Sequence, residues 1–402
     1  RTKHPNPLLT MEKKKNTPKL RFPEFKGEWE EKKLGEIAEI NPKTNKIPNS
    51  FIYIDLESVQ SGQLLKEDRV DLVNAPSRAQ RVLSKKDVLF QMVRPYQKNN
   101  YYFDKDGEYV ASTGYAQIRT MNESRYVFQY LHFQKFTDKV IERCTGTSYP
   151  AINSTDLSSI EIFIPSKEEQ TKIATFLTAV DEKLTQLKKK KTLLKQYKKG
   201  VMQKLFSQQL RFKDDNNQDF PDWQELPGNY IFENVSDKNH ISELPILAIT
   251  QEYGAIPREL IDYNITVTDK SVDSYKVVQI GDFIISLRSF QGGIEYSKYN
   301  GICSPAYIIL RPIMEIEDCF FKSFFKTELY IKALNKNIEG IRDGKMISYK
   351  YFSEINLPYP SLPEQQKIAN FLSSIDEKIN QCSAQIEKME AWKKGLLQQM
   401  FC

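Results

Sequence analysis

The stretch PSKEEQTKIATFLTAVDEKLTQLKKKKTLLKQYKKGVMQKLF, residues 165–206, returns 195 positions later as PSLPEQQKIANFLSSIDEKINQCSAQIEKMEAWKKGLLQQMF, residues 360–401, with no gap. Glu169-Gln170, Lys172-Ile173-Ala174, Phe176-Leu177 and Asp181-Glu182-Lys183 recur as Glu364-Gln365, Lys367-Ile368-Ala369, Phe371-Leu372 and Asp376-Glu377-Lys378. Tyr197-Lys198-Lys199-Gly200 becomes Trp392-Lys393-Lys394-Gly395. Self-similarity at a fixed period means duplicated architecture, so the chain is two copies of one unit. Ile173, Phe176, Leu177, Val180, Leu184, Leu187, Leu194, Val201 and Leu205 fall mostly three or four residues apart, as do Ile375, Ile379, Cys382, Ile386, Met389, Trp392, Leu396 and Met400. That spacing is helical. At about 1.5 Å per residue each helix is a rod of roughly 60 Å.

A rod with one narrow apolar stripe has to bury it. The matching surface is the stripe of the other copy. The seam residues Val180, Leu184, Leu187, Leu194 and Val201 are therefore expected to pack with Ile375, Ile379, Ile386, Met389 and Leu396 as an antiparallel coiled coil with pseudo-two-fold symmetry. The alternative is that each helix lies on its own globular part and merely links it to the next. Lys191 stands where the second copy has Ile386 and is expected to snorkel out of the seam. Both helices follow a Pro-Ser pair and carry Glu in the first turn, opposite the positive end of the helix dipole.

Outward from the helices the likeness thins. Leu20-Arg21-Phe22 is echoed by Leu210-Arg211-Phe212, Phe25 with Trp29-Glu30 by Phe220 with Trp223-Gln224, and Asp87 ahead of Val88-Leu89-Phe90 by Asp282 ahead of Phe283-Ile284-Ile285. Boundaries follow: a tail at 1–19, a globular part at 20–164, a helix at 165–207, a second globular part at 208–359 and a helix at 360–402. The ten residues ahead of Met11 read as an appended or read-through segment, without the apolar core of a signal peptide. Short β-branched and aromatic runs at Phe51-Ile52-Tyr53-Ile54, Val88-Leu89-Phe90, Tyr109-Val110 and Ile160-Glu161-Ile162-Phe163 predict strands, and residues 126–141 a helix. Ile246-Leu247-Ala248-Ile249, Phe283-Ile284-Ile285 and Ala306-Tyr307-Ile308-Ile309-Leu310 do the same in the second copy, with a helix at 319–335. Each globular part is thus α+β.

The formal charge of +6 is concentrated in one place. Between Pro165 and Ser207, 11 lysines face Glu168, Glu169, Asp181 and Glu182, so the remaining chain is near neutral. Lys188, Lys189, Lys190 and Lys191 are candidates for phosphate contacts or an acidic partner. In the globular parts, basic, amide and aromatic residues interleave in loops. Arg78, Gln80 and Arg81 form one group, Arg94, Tyr96, Gln97, Lys98, Asn99 and Asn100 another, and Thr147, Ser148 and Tyr149 a third. In the second copy Arg288, Ser289, Gln291 and Gly292, and then Arg342, Asp343, Lys345, Tyr349 and Lys350, hold comparable places. Arginine and the amides read base edges, lysine reaches phosphate, and tyrosine stacks. Ordinary solvated loops share this composition.

Catalytic signatures are missing. Asn41-Pro42-Lys43-Thr44 lacks the second proline and aromatic of an adenine methyltransferase motif, and Pro221-Asp222 with Glu225 lacks the lysine of a nuclease site. No phosphate-binding glycine loop occurs, Gly292-Gly293 being too short. Five scattered cysteines and three histidines without ligand spacing point to free thiols and no zinc. No stretch is apolar enough to span a bilayer, and a cytoplasmic chain is expected.

The doubled E-Q-x-K-I-A-x-F-L-x-x-x-D-E-K pattern at 169–183 and 364–378, with L-R-F-P-x-F and W-E between Leu20 and Glu30, resembles the specificity subunits of type I restriction-modification systems. The resemblance implies two target recognition domains, each reading one half of a split, asymmetric sequence in double-stranded DNA, with the helix pair fixing the spacer. It implies no catalysis in this chain, docking of two methyltransferase subunits, and addition of restriction (translocase and nuclease) subunits. AdoMet, ATP and Mg would serve those partners. A two-headed coiled-coil adaptor for proteins or glycans is the alternative the repeat also allows.

Overall fold

The computed structural model describes residues 16–44, 46–60, 62–240, 243–261, 272–336 and 347–402, so the tail ahead of residue 16 lies outside it. Two compact units result. The first takes the chain up to Lys188 and adds Ala384–Cys402, and the second is Lys189–Ser383. The division falls inside the two long helices, Lys167–Phe206 and Leu362–Met400, whereas the sequence suggests boundaries at their ends. Each unit therefore consists of one globular part, the first half of its own helix and the last half of the other copy's.

In the first unit Ala38–Ile40, Tyr115–Thr120, Val88–Gln91 and Tyr101–Tyr102 form one four-stranded sheet, in that order and antiparallel. A second sheet runs Arg69–Asp71, Ser50–Ile54, Tyr109–Ser112 and Ala79–Val82, with a parallel central pair. A separate pair, Glu30–Lys33 with Glu161–Ile164, closes the globular part where the helix begins. In the second unit the first pattern recurs as Phe232–Val235, Ile308–Pro312, Phe283–Ile285 and Glu295–Tyr296, and the closing pair as Gln224–Pro227 with Asn356–Tyr359. Val88 to Gln91 and Phe283 to Ile285 are buried throughout because both faces of those strands are covered, which is why they read as unbroken apolar runs.

The first unit's core gathers Trp29, Phe90, Tyr126, Tyr130, Phe133 and Phe136 around Ile173, Ala174, Leu177 and Val180 of the first long helix, and around Leu396, Leu397, Met400 and Phe401 of the second. The Phe401 ring lies 5.5 Å from Tyr126 and 5.0 Å from Tyr130, both edge-on, a geometry worth roughly 0.5–1.5 kcal/mol per pair beyond area. In the second unit Phe206, 195 positions earlier, meets Phe320 and Phe324 at 5.3 and 5.5 Å. The last turn of each long helix thus plugs an aromatic core. Val180, Leu184, Leu187, Val201, Ile375, Ile379, Ile386 and Leu396 are at most 9% exposed, and Leu194 and Met389 pack partly buried against the two cores.

Two predicted helices are broken. Residues 126–141 form Ser124–Tyr130 and Gln134–Ile141, and residues 319–335 form Asp318–Phe324 and Glu328–Lys336. In the second case Thr327 Oγ1 donates to Phe324 O at 2.7 Å and accepts from Tyr330 N at 3.2 Å, a local alternative to the helical ladder. In the first, His132 turns inward at the break, its Nδ1 2.8 Å from Phe128 O and its ring 4.7 Å from that of Phe128. The strand predicted at 306–310 starts two residues later, at Ile308, after a turn in which Tyr307 N donates to Ser304 O.

Burial, with Lys393 adding to it, pushes the His132 imidazole down to about 4. The unfolded chain, titrating near 6.5, then binds more protons than the folded one between those values, so stability falls as pH drops through that window. Melting temperature followed from pH 7 to pH 4 is expected to decline more steeply in the native chain than in His132→Phe. Parallel curves would remove His132 from the account.

Candidate nucleic-acid interface

The repeated motif proves to be the latch that holds each globular part to its helix. Glu169, 1% exposed, accepts from Arg21 Nε and Nη2, both at 2.7 Å, and Glu364, fully buried, accepts from Arg211 Nε and Nη2 at 3.1 and 2.9 Å. Forked guanidinium-carboxylate pairs of this kind fix geometry as well as charge. These acids do more than oppose the helix dipole. Beside them Gln170 accepts from Glu123 N and donates to Pro165 O, and Gln365 accepts from Glu317 N and donates to Pro360 O. Asp181 pairs with Lys393 at 2.5 Å in the first unit, and Asp376 pairs with Lys198 at 2.7 Å in the second. Each D-E-K thus meets the lysine of the other copy's aromatic-Lys-Lys-Gly.

A second pair of arginines is consumed inside the globular parts. Asp87, fully buried, takes Arg119 Nε and Nη2 at 2.8 Å each, Gln117 Nε2 at 2.7 Å and Ser84 N at 2.7 Å. Asp282 takes Arg311 Nε and Nη2 at 2.8 Å. These four arginines are scaffold. Among the described residues the side chains of Arg78, Arg81, Arg94, Arg258 and Arg288 have no acceptor, and buried nitrogens of three of them, Arg81 Nε, Arg94 Nε and Arg258 Nη1, are left without one.

In the first unit Arg78 and Arg94 belong to loops and Arg81 to the strand Ala79–Val82, and backbone bonds stitch these segments together. Thr113 N donates to Arg78 O at 2.9 Å, Met92 N to Gly114 O at 3.0 Å, Ile152 N to Met92 O at 3.1 Å and Arg94 N to Pro150 O at 2.7 Å. One surface therefore carries Arg78, Arg81, Arg94, Ser148 and Tyr149. The Arg94 guanidinium lies over the exposed Tyr149 ring, 4.3 Å from its centroid, an orientation that leaves the edge of the fork free to meet an acceptor. Arg94 and Lys98 both have φ of 53°, each a cost on the order of 1 kcal/mol for a residue with a side chain. Neighbouring bonds hold them there.

Not all of the loop faces outward. Gln91, 3% exposed, donates to Gln97 Oε1 and accepts from Asn99 N, and Asn99 Nδ2 bonds Val59 O. Lys98 Nζ donates to His132 O and Gln134 Oε1, so these three candidates brace the loop from within, while Tyr96 stays half exposed. In the second unit Arg288 and Gln291 are exposed, whereas Ser289 is 1% exposed and accepts from Ser286 N. Tyr349 donates to Phe232 O at 2.9 Å, and Lys350 is exposed. Arg342, Asp343 and Lys345 lie outside the described residues.

Sequence reasoning misses Arg258 and Gln251. Gln251 sits in the turn between Leu247–Thr250 and Gly254–Pro257, and its Nε2 donates to Arg288 O at 3.3 Å. Gly254 has φ of 75°, and a Cβ there would meet Tyr296 O at 2.8 Å, so only glycine fits. Burial raises the Tyr307 phenol while Arg258 and Arg288 act in the opposite direction, placing both guanidinium groups within electrostatic reach of one ring. The Tyr253-Gly254 turn signal could have drawn attention to this hairpin. Among the described residues no cluster of His, Cys, Asp and Glu could hold a metal, and no helix is long and apolar enough to cross a membrane.

Comparison with known proteins agrees with the motif and the doubled fold. A Methanocaldococcus jannaschii protein named as the type I restriction enzyme MjaX specificity subunit is 26% identical over 97% of this chain and 96% of its own. The Escherichia coli type I restriction enzyme EcoDI specificity subunit is 22% identical over 73% of this chain and 77% of its own. Two solved chains share the fold. One comes from a structure of type I R-M complex assembly and conformational transition (TM-score 0.56, 22% identity, 92% and 96% covered), and the other is a type I restriction-modification S subunit from M. genitalium (TM-score 0.57, 18% identity, 96% and 99% covered). None of these matches favours an adaptor for proteins or glycans. The family model described as type I restriction modification DNA specificity domain matches twice, at residues 26–196 and 225–390, and the chain belongs to that family.

Proposed function

We propose that the chain reads a bipartite, asymmetric sequence in double-stranded DNA, one half with Arg78, Arg81, Arg94 and Tyr149 and the other with Arg258, Arg288 and Gln291, and that it performs no catalysis itself. The observation that carries this is the division of arginines. Those at Arg21, Arg119, Arg211 and Arg311 are paired with carboxylates, while Arg81, Arg94 and Arg258 each hold a desolvated nitrogen that lacks an acceptor. A buried donor without a partner costs about 1–3 kcal/mol, which an acceptor on a base edge or phosphate would recover. Selection of randomised duplexes by the chain, co-expressed with a methyltransferase subunit, tests it. Two fixed blocks around an indifferent spacer are expected; no enrichment by an assembled complex would sink the proposal.

In the same proposal the long helices pair as an antiparallel coiled coil that sets the spacer and docks two methyltransferase subunits, to which restriction subunits add. The reciprocal ion pairs of Asp181 with Lys393 and of Asp376 with Lys198 support it, as does the burial of the seam. AdoMet, ATP and Mg belong to those partners, in the cytoplasm. Matched seven-residue insertions, one between Leu194 and Gly200 and one between Met389 and Gly395, keep the heptad phase of the seam and add about 10 Å of rod. The selected spacer should then lengthen by roughly 3 base pairs. An unchanged spacer in a folded variant would remove the ruler role.

A further inference from the structure

In the second unit a cleft of about 370 Å3 opens between the last half of the first long helix and the helices Asp318–Phe324 and Glu328–Lys336. Five lysines line it: Lys195, Lys198, Lys199, Lys322 and Lys326. Three are neutralised. Lys198 meets both oxygens of Asp376 at 2.7 Å, Lys199 meets Glu328 at 2.6 Å, and Lys326 pairs with Glu295 and donates to Gly292 O at 3.0 Å. Lys195 and Lys322 have no acceptor among the described residues. Burial lowers the Lys322 pKa and Lys298 lowers it further, outweighing the opposite pull of Cys319 and Asp376, so its charge is held partly out of water. Ser323 lines the same wall, its hydroxyl likewise unengaged.

The first unit closes the corresponding place. Counting from Glu123 and Glu317, whose backbone nitrogens donate to Gln170 and Gln365, the positions of Lys322, Ser323 and Lys326 are held by Phe128, Gln129 and His132. Phe128 and His132 stack edge-on, and Gln129 donates to Asp181 at 2.7 Å. The same scaffold is thus plugged by side chains in one unit and left open in the other, with two ammonium groups that have no acceptor among the described residues. A satisfied structural site has no need of that surplus.

We propose that this cleft binds a small phosphomonoester dianion, its phosphoryl oxygens held by Lys195, Lys322 and the Ser323 hydroxyl. Two free positive charges match a dianion, and the space is at the lower end of small-ligand sites, large enough for a phosphate with a compact organic group. Lys195, Lys322 and Ser323 are none of the residues proposed to read DNA, although Lys326 on the cleft wall braces the Arg288 loop at Gly292 O, so loss of anion binding with DNA selection intact is the distinguishing result.

Isothermal titration of the full chain with AMP and with inorganic phosphate, in phosphate-free buffer at near-physiological salt, tests it. The expected result is one AMP per chain, weakened on the order of tenfold by Lys322→Met. Lys195→Met, on the exposed helix face, gives the same reading should the first variant misfold. DNA selection by the variants is expected to be unchanged. Absence of saturable binding at millimolar AMP, binding indifferent to both substitutions, or several weak sites that vanish together with salt would overturn the proposal. So would a uniform fall in DNA affinity without AMP binding, which would assign the lysines to a DNA phosphodiester.

Discussion

Asp87→Ala is expected to destabilise the first unit by about 3 kcal/mol. The carboxylate is fully buried and accepts four hydrogen bonds, from Arg119 twice, from Gln117 and from Ser84 N. The cost does not sit on Arg119, whose side chain is 40% exposed and can turn to water. It sits on Gln117 and on the Ser84 amide. Gln117 is fully buried, its Oε1 already lacks a partner, and its Nε2 would keep only Val82 O. Asp87→Asn is not a rescue, since it turns one acceptor into a donor facing donors. Hydrogen exchange resolved to peptides is the measurement. Protection across Val88–Gln91 and Tyr115–Thr120 should fall by about two orders of magnitude, with peptides of the second unit unchanged. Asp282→Ala should reverse that pattern, through the Gln279 amide that Asp282 accepts from at 2.7 Å. Protection within threefold of the native value would mean that solvent enters and satisfies the stranded donors.

The scaffold arginines were legible because they recur. Arg21 and Arg211 stand in matched Leu-Arg-Phe triplets, and Glu169 and Glu364 in matched helical motifs, so the pairs could have been predicted from the repeat alone. The arginines proposed to read DNA follow the repeat less closely. At the offset that aligns Asp87 with Asp282, Arg81 and Arg94 face Lys276 and Ser289, and Arg288 faces Val93. Arg94 and Arg288 follow Asp87 and Asp282 by seven and six residues, so the repeat marks the two loops without matching their side chains one to one. Composition could not divide the loop residues further, because Lys98, Asn99 and Gln97 look like DNA contacts by residue type yet are engaged by His132, Val59 and Gln91. That difference depends on left-handed turns at Arg94 and Lys98, which non-glycine residues do not advertise. The broken helices escaped for a related reason. Periodicity continues through His132 and Thr327, and only the inward turn of one and the backbone bonds of the other end the ladder.

Arg94→Ala is expected to cost about 1–3 kcal/mol in binding to the preferred duplex, a five- to 150-fold loss, with discrimination abolished at one base pair in one half of the target. The size follows from preorganisation. Arg94 is stacked on Tyr149, its backbone is tied to Pro150 O, and its Nε is desolvated without an acceptor, so little rotamer entropy remains to be lost when a base edge arrives. Arg94→Lys should recover little, because an ammonium supplies charge without the planar fork or the stacking face. Arg288→Ala should act on the other half alone, and the double variant should lose the sum of the two, since the sites share no partner. Competition binding against a panel of single-base variants, at fixed salt, separates the outcomes. A loss confined to substitutions at one position establishes base reading by Arg94. A uniform loss across all sequences, with a salt dependence reduced by about one phosphate, would make Arg94 a backbone contact and shift the reading of that half-site to Arg78 and Arg81.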